Sequence, residues 1–365
     1  MCSLSNNNKK RKRGQIEMEK IRMGLVGCGK MMASHAQGIN KVTDKLEIVA
    51  VCDIIKENAQ AVADALDNEV FVATRWEELV DKVDAVMVAL PHDLHYECGV
   101  FFARRKKHIF MEKPLANSEE ECLRLIEICE EEGVKLMCGY PMRYVPGLAK
   151  LKELVDSGDY GEVIMMSLWT EQLTRAAETS WENTARIGGG QLFSHGCHYI
   201  DLMLWFLGEP VQGTHIGTRN GTPWLLREGT SAVTIKFENG AIGYHGATWG
   251  ARGTRLGYDF QVQTEKGMLE YKHSTGEVLL YDKHREHDPG EIVDKVDKKV
   301  LFTYEPGKQT QHEIRHFAEC VLEDKIPMTD GHSALQSLRV IWKLYEAEKA
   351  GLVADLRGLG LPERN

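Results

Sequence analysis

Short apolar runs recur at regular intervals through the first third of the chain. Segments 21–27, 47–53, 84–90, 108–113 and 134–139 are rich in Val, Ile, Met and Leu. Each is the length of a strand, and each lacks the alternation of a half-exposed one. The residues between them carry helical spacing instead, over 57–66, 76–80, 95–106 and 118–132. Ser118 and Glu121 have capping-box spacing at the start of the last of these. Repeated β-α-β units with continuously apolar strands predict a parallel, doubly wound sheet with helices on both faces.

The pattern changes after residue 142. A helix is expected over 146–157, ended by Gly158 and Gly161, and then a strand over 162–169. Segment 193–207 reads as an amphipathic helix carrying Ser194, His195, His198 and Asp201. Ser194 and His198 are four apart and share a face, with His195 beside them. Later segments alternate, with hairpin turns at Asn239-Gly240, Lys266-Gly267 and Thr275-Gly276. Helices near 310–323 and 333–348 pack back onto the body. A chain of 365 residues exceeds one ordinary core. The expected division is a polar tail at 1–20, a nucleotide-binding domain at 21–142 and a second α/β sheet domain at 143–365.

Three places in the first domain carry chemistry. The first strand ends in Gly27-Cys28-Gly29, and a helix follows through Lys30 and Met31. Two glycines permit a tight turn and close approach of a pyrophosphate, which the helix N-terminus then faces. Met32 replaces the third glycine of the usual spacing, a position concerned with packing. Asp53 ends the second strand, 24 residues after Gly29. That spacing suits a carboxylate on the adenosine ribose, which favours NAD over a 2′-phosphorylated cofactor; the alternative is a helix N-cap. Lys113 ends the fifth run, beside Pro114, where open α/β sheets bind ligands. It is either a donor to a substrate hydroxyl or a solvated lysine at a strand end.

Composition narrows the function. Hydrophobic residues are 43% and charged residues 27%, and the net charge of −9 argues against a nucleic-acid partner. No apolar run reaches about eighteen residues, so no membrane span is expected. Nine cysteines stand singly in apolar stretches with no Cys-x-x-Cys pair, which fits free thiols in a reducing cytoplasm. The basic run 9–13 reads as a solvated tail or as a nuclear-localisation or phosphate-binding patch.

Several motifs fall together in a known order. They are Val26-Gly27-Cys28-Gly29, Asp53, Leu90-Pro91-His92 with His95, Glu112-Lys113-Pro114-Leu115, and Gly139-Tyr140 with Arg143-Tyr144. Gly188-Gly189-Gly190-Gln191-Leu192 and Gly196-x-His198-x-x-Asp201 follow. In this the chain resembles the glucose–fructose oxidoreductase, inositol dehydrogenase and rhizopine catabolism (Gfo/Idh/MocA) family over about residues 20–350. The resemblance implies a Rossmann domain followed by an α/β domain with a large open, mostly antiparallel sheet. It also implies NAD as cofactor and hydride transfer at a secondary alcohol of a sugar, glycoside or cyclitol. Lys113 and His198 then face the alcohol, with His198 as general base. Many members carry an aspartate four residues before that histidine; here Ser194 takes its place, to orient His198 or relay a proton. Cofactor contacts are implied for Gly27, Cys28, Gly29, Lys30, Met31, Asp53, Leu90, Pro91, His92, His95, Glu112 and Lys113. Substrate contacts are implied for Lys113, Arg143, Trp181, His195, His198 and Asp201.

Rival patterns are weaker. His312-Glu313-Ile314-Arg315-His316 matches the zinc-protease spacing but points to no third ligand, and a packing helix is the plainer reading. His195 and His198 lack an acid to complete a metal site, so no metal is expected. Trp205 is expected in the core, and Trp181 or Trp249 against a sugar ring. The leading expectation is oxidation of a glucoside at its C3 hydroxyl. The alternatives are an NAD-dependent glycosidase or hydride-swapping enzyme with retained cofactor, and a non-catalytic nucleotide sensor. An open sheet face also predicts a homo-oligomer.

Overall fold

The computed structural model describes residues 20–175, 180–282, 297–307 and 309–363. The basic run at 9–13 lies outside them, as do His284 and His287, which the sequence sets in a charged, solvated loop. The first sheet arises from β1 (Ile21–Val26), α1 (Lys30–Ile39), β2 (Leu46–Cys52), α2 (Lys56–Asp64) and β3 (Phe71–Ala73). It is completed by β4 (Ala85–Val88), α3 (His95–Ala103), β5 (His108–Met111), α4 (Glu119–Glu132) and β6 (Leu136–Cys138). All pairings are parallel in the order β3-β2-β1-β4-β5-β6. The order reverses between β1 and β4, and a crevice opens beyond their C-terminal ends. Strand β3 is not visible in the sequence pattern, because three residues with an exposed Phe71 carry no periodicity. Ser118 caps α4 by accepting the Glu121 N–H at 3.3 Å. The Glu121 carboxylate reaches back to the Asn117 N–H at 3.2 Å, one residue beyond the usual box.

The second half supplies α5 (Pro146–Asp156) and β7 (Val163–Glu171), then a π turn over Leu192–Gly196 that runs into α6 (Cys197–Leu207). Strands β8 (Pro210–Thr218), β9 (Thr230–Phe237), β10 (Ile242–Thr248) and β11 (Asp259–Thr264) follow. After them come β12 (Gly267–Lys272), β13 (Glu277–Asp282) and β14 (Asp297–Thr303). Helices α7 (Gln311–Leu322) and α8 (Gly331–Ala350) and β15 (Ala354–Asp355) close the fold. The nine-stranded sheet runs β14-β13-β12-β11-β7-β10-β9-β8-β15, antiparallel except where β7 meets β10. Its inner face, with Met166, Leu168, Val233, Ile235 and Val262, is buried with α6 in the main core. Its outer face leaves Met165, Trp169, Ile216, Ile242 and Tyr244 partly or largely exposed.

Segment 193–207 departs from the amphipathic expectation. Every residue of α6 except Trp205 is buried, because the helix packs against α8 as well as β7 and β10. Helix α7 packs on α1 and β1 of the first domain, and α8 bridges α4 and β6 to α6 and β8. Within α7, His312 meets Gln309 at 3.1 Å and His316 Nε2 accepts the Met328 N–H at 2.9 Å. The H-E-x-x-H stretch is therefore a packing helix. Among the described residues no cluster of three metal-ligating side chains occurs, and no helix is long and apolar enough to cross a membrane.

Candidate active site

Strand β1 delivers the chain into Gly27, whose φ of +84° favours glycine and where a Cβ would lie 2.5 Å from the Ala89 carbonyl oxygen. At Gly29 a Cβ would meet nothing within 4 Å, so the backbone there faces open space. Helix α1 starts at Lys30 with no side-chain cap and no acid in its first turn. Its unpaired N–H groups and positive dipole end remain available to an anion. Asp53 is held rigidly: Cys28 N–H donates to Oδ2 and Ile55 N–H donates to Oδ1, both at 2.8 Å. Ile55, not Asp53, occupies the N-cap position of α2. The open glycine backbone, the uncapped helix and the fixed carboxylate fit NAD. Its pyrophosphate would rest on residues 27–31 and its adenosine ribose on Asp53. Asp53→Ser is expected to weaken NADH binding about tenfold, through loss of charge-assisted hydrogen bonds, and to reduce the preference over NADPH. Fluorescence titration of both cofactors measures it; unchanged affinities would remove Asp53 from the cofactor site.

The other end of the crevice forms where β5 gives way to Glu112 and Lys113. Lys113 Nζ donates to the Ser194 carbonyl at 2.7 Å. Glu112 is 6% exposed. It pairs with His35 at 2.5 Å and accepts the Lys113 N–H at 3.2 Å, which ties the lysine segment to α1. A cleft of about 830 Å³ runs between these ends. Of the expected residues, Gly27, Gly29, Lys30, Met31, Asp53, Leu90, Pro91, His92, Glu112, Lys113, Trp181, Ser194 and His195 line it.

Five expected residues do not. Cys28 is buried behind the turn and acts through its N–H; burial pushes its thiol up to about 12. His95 is fully buried, with Nδ1 2.7 Å from the Pro114 carbonyl and Nε2 3.0 Å from that of Leu90. It pins two lining loops together from behind. Arg143 and Asp201 turn to each other, with Nε–Oδ2 at 2.7 Å and Nη2–Oδ1 at 2.6 Å, both buried. They form an internal ion pair rather than a substrate contact. His198, 7% exposed, lies behind the lining, and its ring centroid is 5.9 Å from that of His195. The cause is the π turn, whose wider i→i+5 spacing breaks the shared face that a regular helix gives Ser194 and His198.

Residues far away in sequence hold that turn. Tyr345 Oη accepts the N–H groups of Gly190 and Phe193 at 3.3 and 3.2 Å, and donates to Glu228 at 2.6 Å. Leu192 N–H reaches the same carboxylate at 3.1 Å. A Cβ on Gly190 would overlap Glu228, at 2.1 Å. No local pattern announces Glu228 or Tyr345. Sequence reading also missed Gln172, Thr174, Trp224 and Leu225 on the cleft wall. An indole in a polar loop is the one available signal; it points to Trp181 and Trp249 and leaves Trp224 unmarked.

Residues 21–140 match the oxidoreductase family with NAD-binding Rossmann fold, and residues 148–270 match the GFO/IDH/MocA C-terminal domain. The chain belongs to the GFO/IDH/MocA oxidoreductase family. A 2,7-anhydro-N-acetylneuraminate hydratase of Mediterraneibacter gnavus is 31% identical over 281 residues, covering 74% of this chain and 72% of the hydratase. The scyllo-inositol 2-dehydrogenase (NAD(+)) of Bacillus subtilis is 27% identical over 331 residues, covering 88% and 92%. The WlbA dehydrogenase of Bordetella pertussis, crystallised with NADH and UDP-GlcNAcA, shares the fold. Its TM-score is 0.73 at 24% identity, covering 95% of this chain and 100% of that one.

This GFO/IDH/MocA oxidoreductase keeps several imidazoles neutral inside. Burial, helped by neighbouring imidazoles and the Lys113 ammonium, holds His92 and His195 well below the ordinary histidine range. Burial lowers His245, on Thr170 at 2.9 Å, to about 3. A lowered folded-state pKa means that the unfolded chain binds the proton first. Stability is therefore full above pH 6.5 and falls as pH drops below it. His245 alone accounts for about 2 kcal/mol by pH 5. Melting curves at pH 7.5 and pH 5 should show the fall, and His245→Gln should reduce it. Equal melting at both pH values for the unaltered chain would contradict this.

Proposed function

We propose that the protein oxidises a secondary alcohol of a sugar, glycoside or cyclitol, with the C3 hydroxyl of a glucoside as the leading substrate position. The observation that carries this is Lys113 Nζ on the cleft wall, anchored by the Ser194 carbonyl, in the same cleft as the Gly29–Asp53 dinucleotide end. NAD, when bound, supplies the hydride acceptor. Lys113 donates a hydrogen bond to the substrate oxygen and stabilises negative charge as it develops. His195 is the imidazole on the wall, and the hydroxyl proton passes to the His195–His198 pair, with His198 the base that the family resemblance implies. His198 stands behind it as the second ring of the pair. Glu112 and His35 fix the backbone of the lysine; the Glu228–Tyr345 clamp fixes that of Ser194 and His195. Incubation with NAD and a panel of glucosides, free sugars and inositols, followed by mass spectrometry, tests the reading. A product two hydrogens lighter than its substrate supports it; no altered sugar across the panel counts against it.

A second reading has a specific support: a 31% identical relative carries the name of a hydratase. In that reading oxidation is transient, a neighbouring C–H is made acidic, and the cofactor returns to its starting state. Products without net NADH formation distinguish it.

The outer sheet face, with Trp169 against Tyr244 at 5.2 Å between ring centroids, supports pairing with a second copy of this chain. Light scattering after size exclusion should give a multiple of 41.2 kDa; a monomer mass would sink the pairing. The eight described cysteines are free and buried, which suits a reducing compartment such as the cytoplasm.

A further inference from the structure

Beyond Lys113 the cleft changes character. Trp181, Trp224 and Trp249, brought from three separate segments, close round Leu225 and Ile187 as an apolar cluster separate from both main cores. The three indoles and Leu225 line the cleft. The wall begins at the reacting end: the Trp181 ring stands 4.7 Å from that of His92, edge to face.

Several polar side chains at this end are already engaged. Gln172 accepts the Tyr258 hydroxyl at 2.5 Å, and Ser180 bonds Glu182 at 3.0 Å. Arg186 is held by Asp93 at 2.8 Å, and Arg175 stacks over Trp224 at 5.6 Å. Trp249 Nε1 is buried with no partner among the described residues. A free sugar or cyclitol presents hydroxyls on all its edges, and such a wall pairs few of them. One indole is enough to stack on a sugar ring; three around Leu225 offer apolar area to something larger.

From this we infer that the substrate is a glycoside with an aromatic aglycone, whose ring lies among Trp181, Trp224 and Trp249 while its sugar meets Lys113. The inference rests on the polyol reading for the position of the sugar. The aglycone wall itself rests only on the indole cluster.

The test is calorimetric titration of the full chain, saturated with NAD, using matched phenyl and methyl glycosides of glucose, galactose, mannose and xylose. Oxidation of the same pairs is followed in parallel. For at least one sugar the phenyl glycoside should bind at least tenfold more tightly than the methyl glycoside. Trp224→Ala should shrink that ratio severalfold, and Trp224→Phe should keep most of it. NAD affinity and the melting midpoint confirm that each variant is folded. Equal binding of phenyl and methyl partners overturns the inference, as does binding of neither across all four sugars. So does a ratio that survives in both Trp224→Ala and Trp181→Ala. Tight phenyl binding without oxidation leaves the aglycone wall standing and sinks the oxidoreduction proposed for it. Oxidation without phenyl preference does the reverse.

Discussion

Lys113→Ala should lower turnover by about a hundredfold to a thousandfold while changing NADH affinity by less than about threefold. The asymmetry follows from position. The ammonium is anchored by one backbone carbonyl at the substrate end, whereas the dinucleotide end is built from Gly27, Gly29, the start of α1 and Asp53. The interaction removed is one that strengthens as charge develops on the substrate oxygen, so the loss belongs in kcat more than in KM. Steady-state kinetics with the best substrate of the panel, beside a fluorescence titration of NADH, separates the two effects. Unaltered kcat would exclude Lys113 from the chemistry. A parallel collapse of NADH affinity would mean that the lysine segment supports the cofactor site instead.

The second large effect concerns stability. Asp201→Asn, or Arg143→Met alone, should destabilise the fold by about 3–5 kcal/mol, because each leaves one partner of a desolvated pair uncompensated. Asp201 has no exposure and Arg143 is 3% exposed, and the guanidinium also reaches the Met328 carbonyl at 3.3 Å. A fall of roughly 4–7 °C in the melting midpoint is expected for either single variant. The double variant Arg143→Met/Asp201→Leu should recover much of it, since a matched apolar pair carries no stranded charge. Single variants that melt with the unaltered chain would show that the pair contributes nothing. A double variant worse than both singles would show that the charges serve something other than each other.

What the sequence revealed, and what it withheld, divides along the range of the interactions. The Rossmann half is legible because its signals are local: apolar strand runs, Gly27 and Gly29 at a turn, and Asp53 at the end of β2. The alternating hairpins of the second sheet are legible for the same reason. Strand β3 is too short to show a period. The π turn at Leu192–Gly196 has no local signature either; it is imposed by Glu228 and Tyr345, which approach from β9's leading loop and from α8. That turn brought His195 to the wall and left His198 behind it. Arg143 and Asp201 look like site residues in a list of polar positions, but the polar pair satisfies itself in the core. The indole wall is assembled from loops after β7, β8 and β10 and becomes visible only in three dimensions.

The central claim is that the hydrogen on C3 of a glucoside passes to the cofactor. It is tested most directly with a glucoside carrying deuterium at C3, incubated with the protein and NAD and analysed by mass spectrometry of both sugar and cofactor. The account predicts deuterium in the reduced cofactor, or its loss from the sugar through a transiently reduced one, and neither at the normal rate in Lys113→Ala. A glucoside that is altered while keeping all its deuterium at C3, with none in the cofactor, would contradict it.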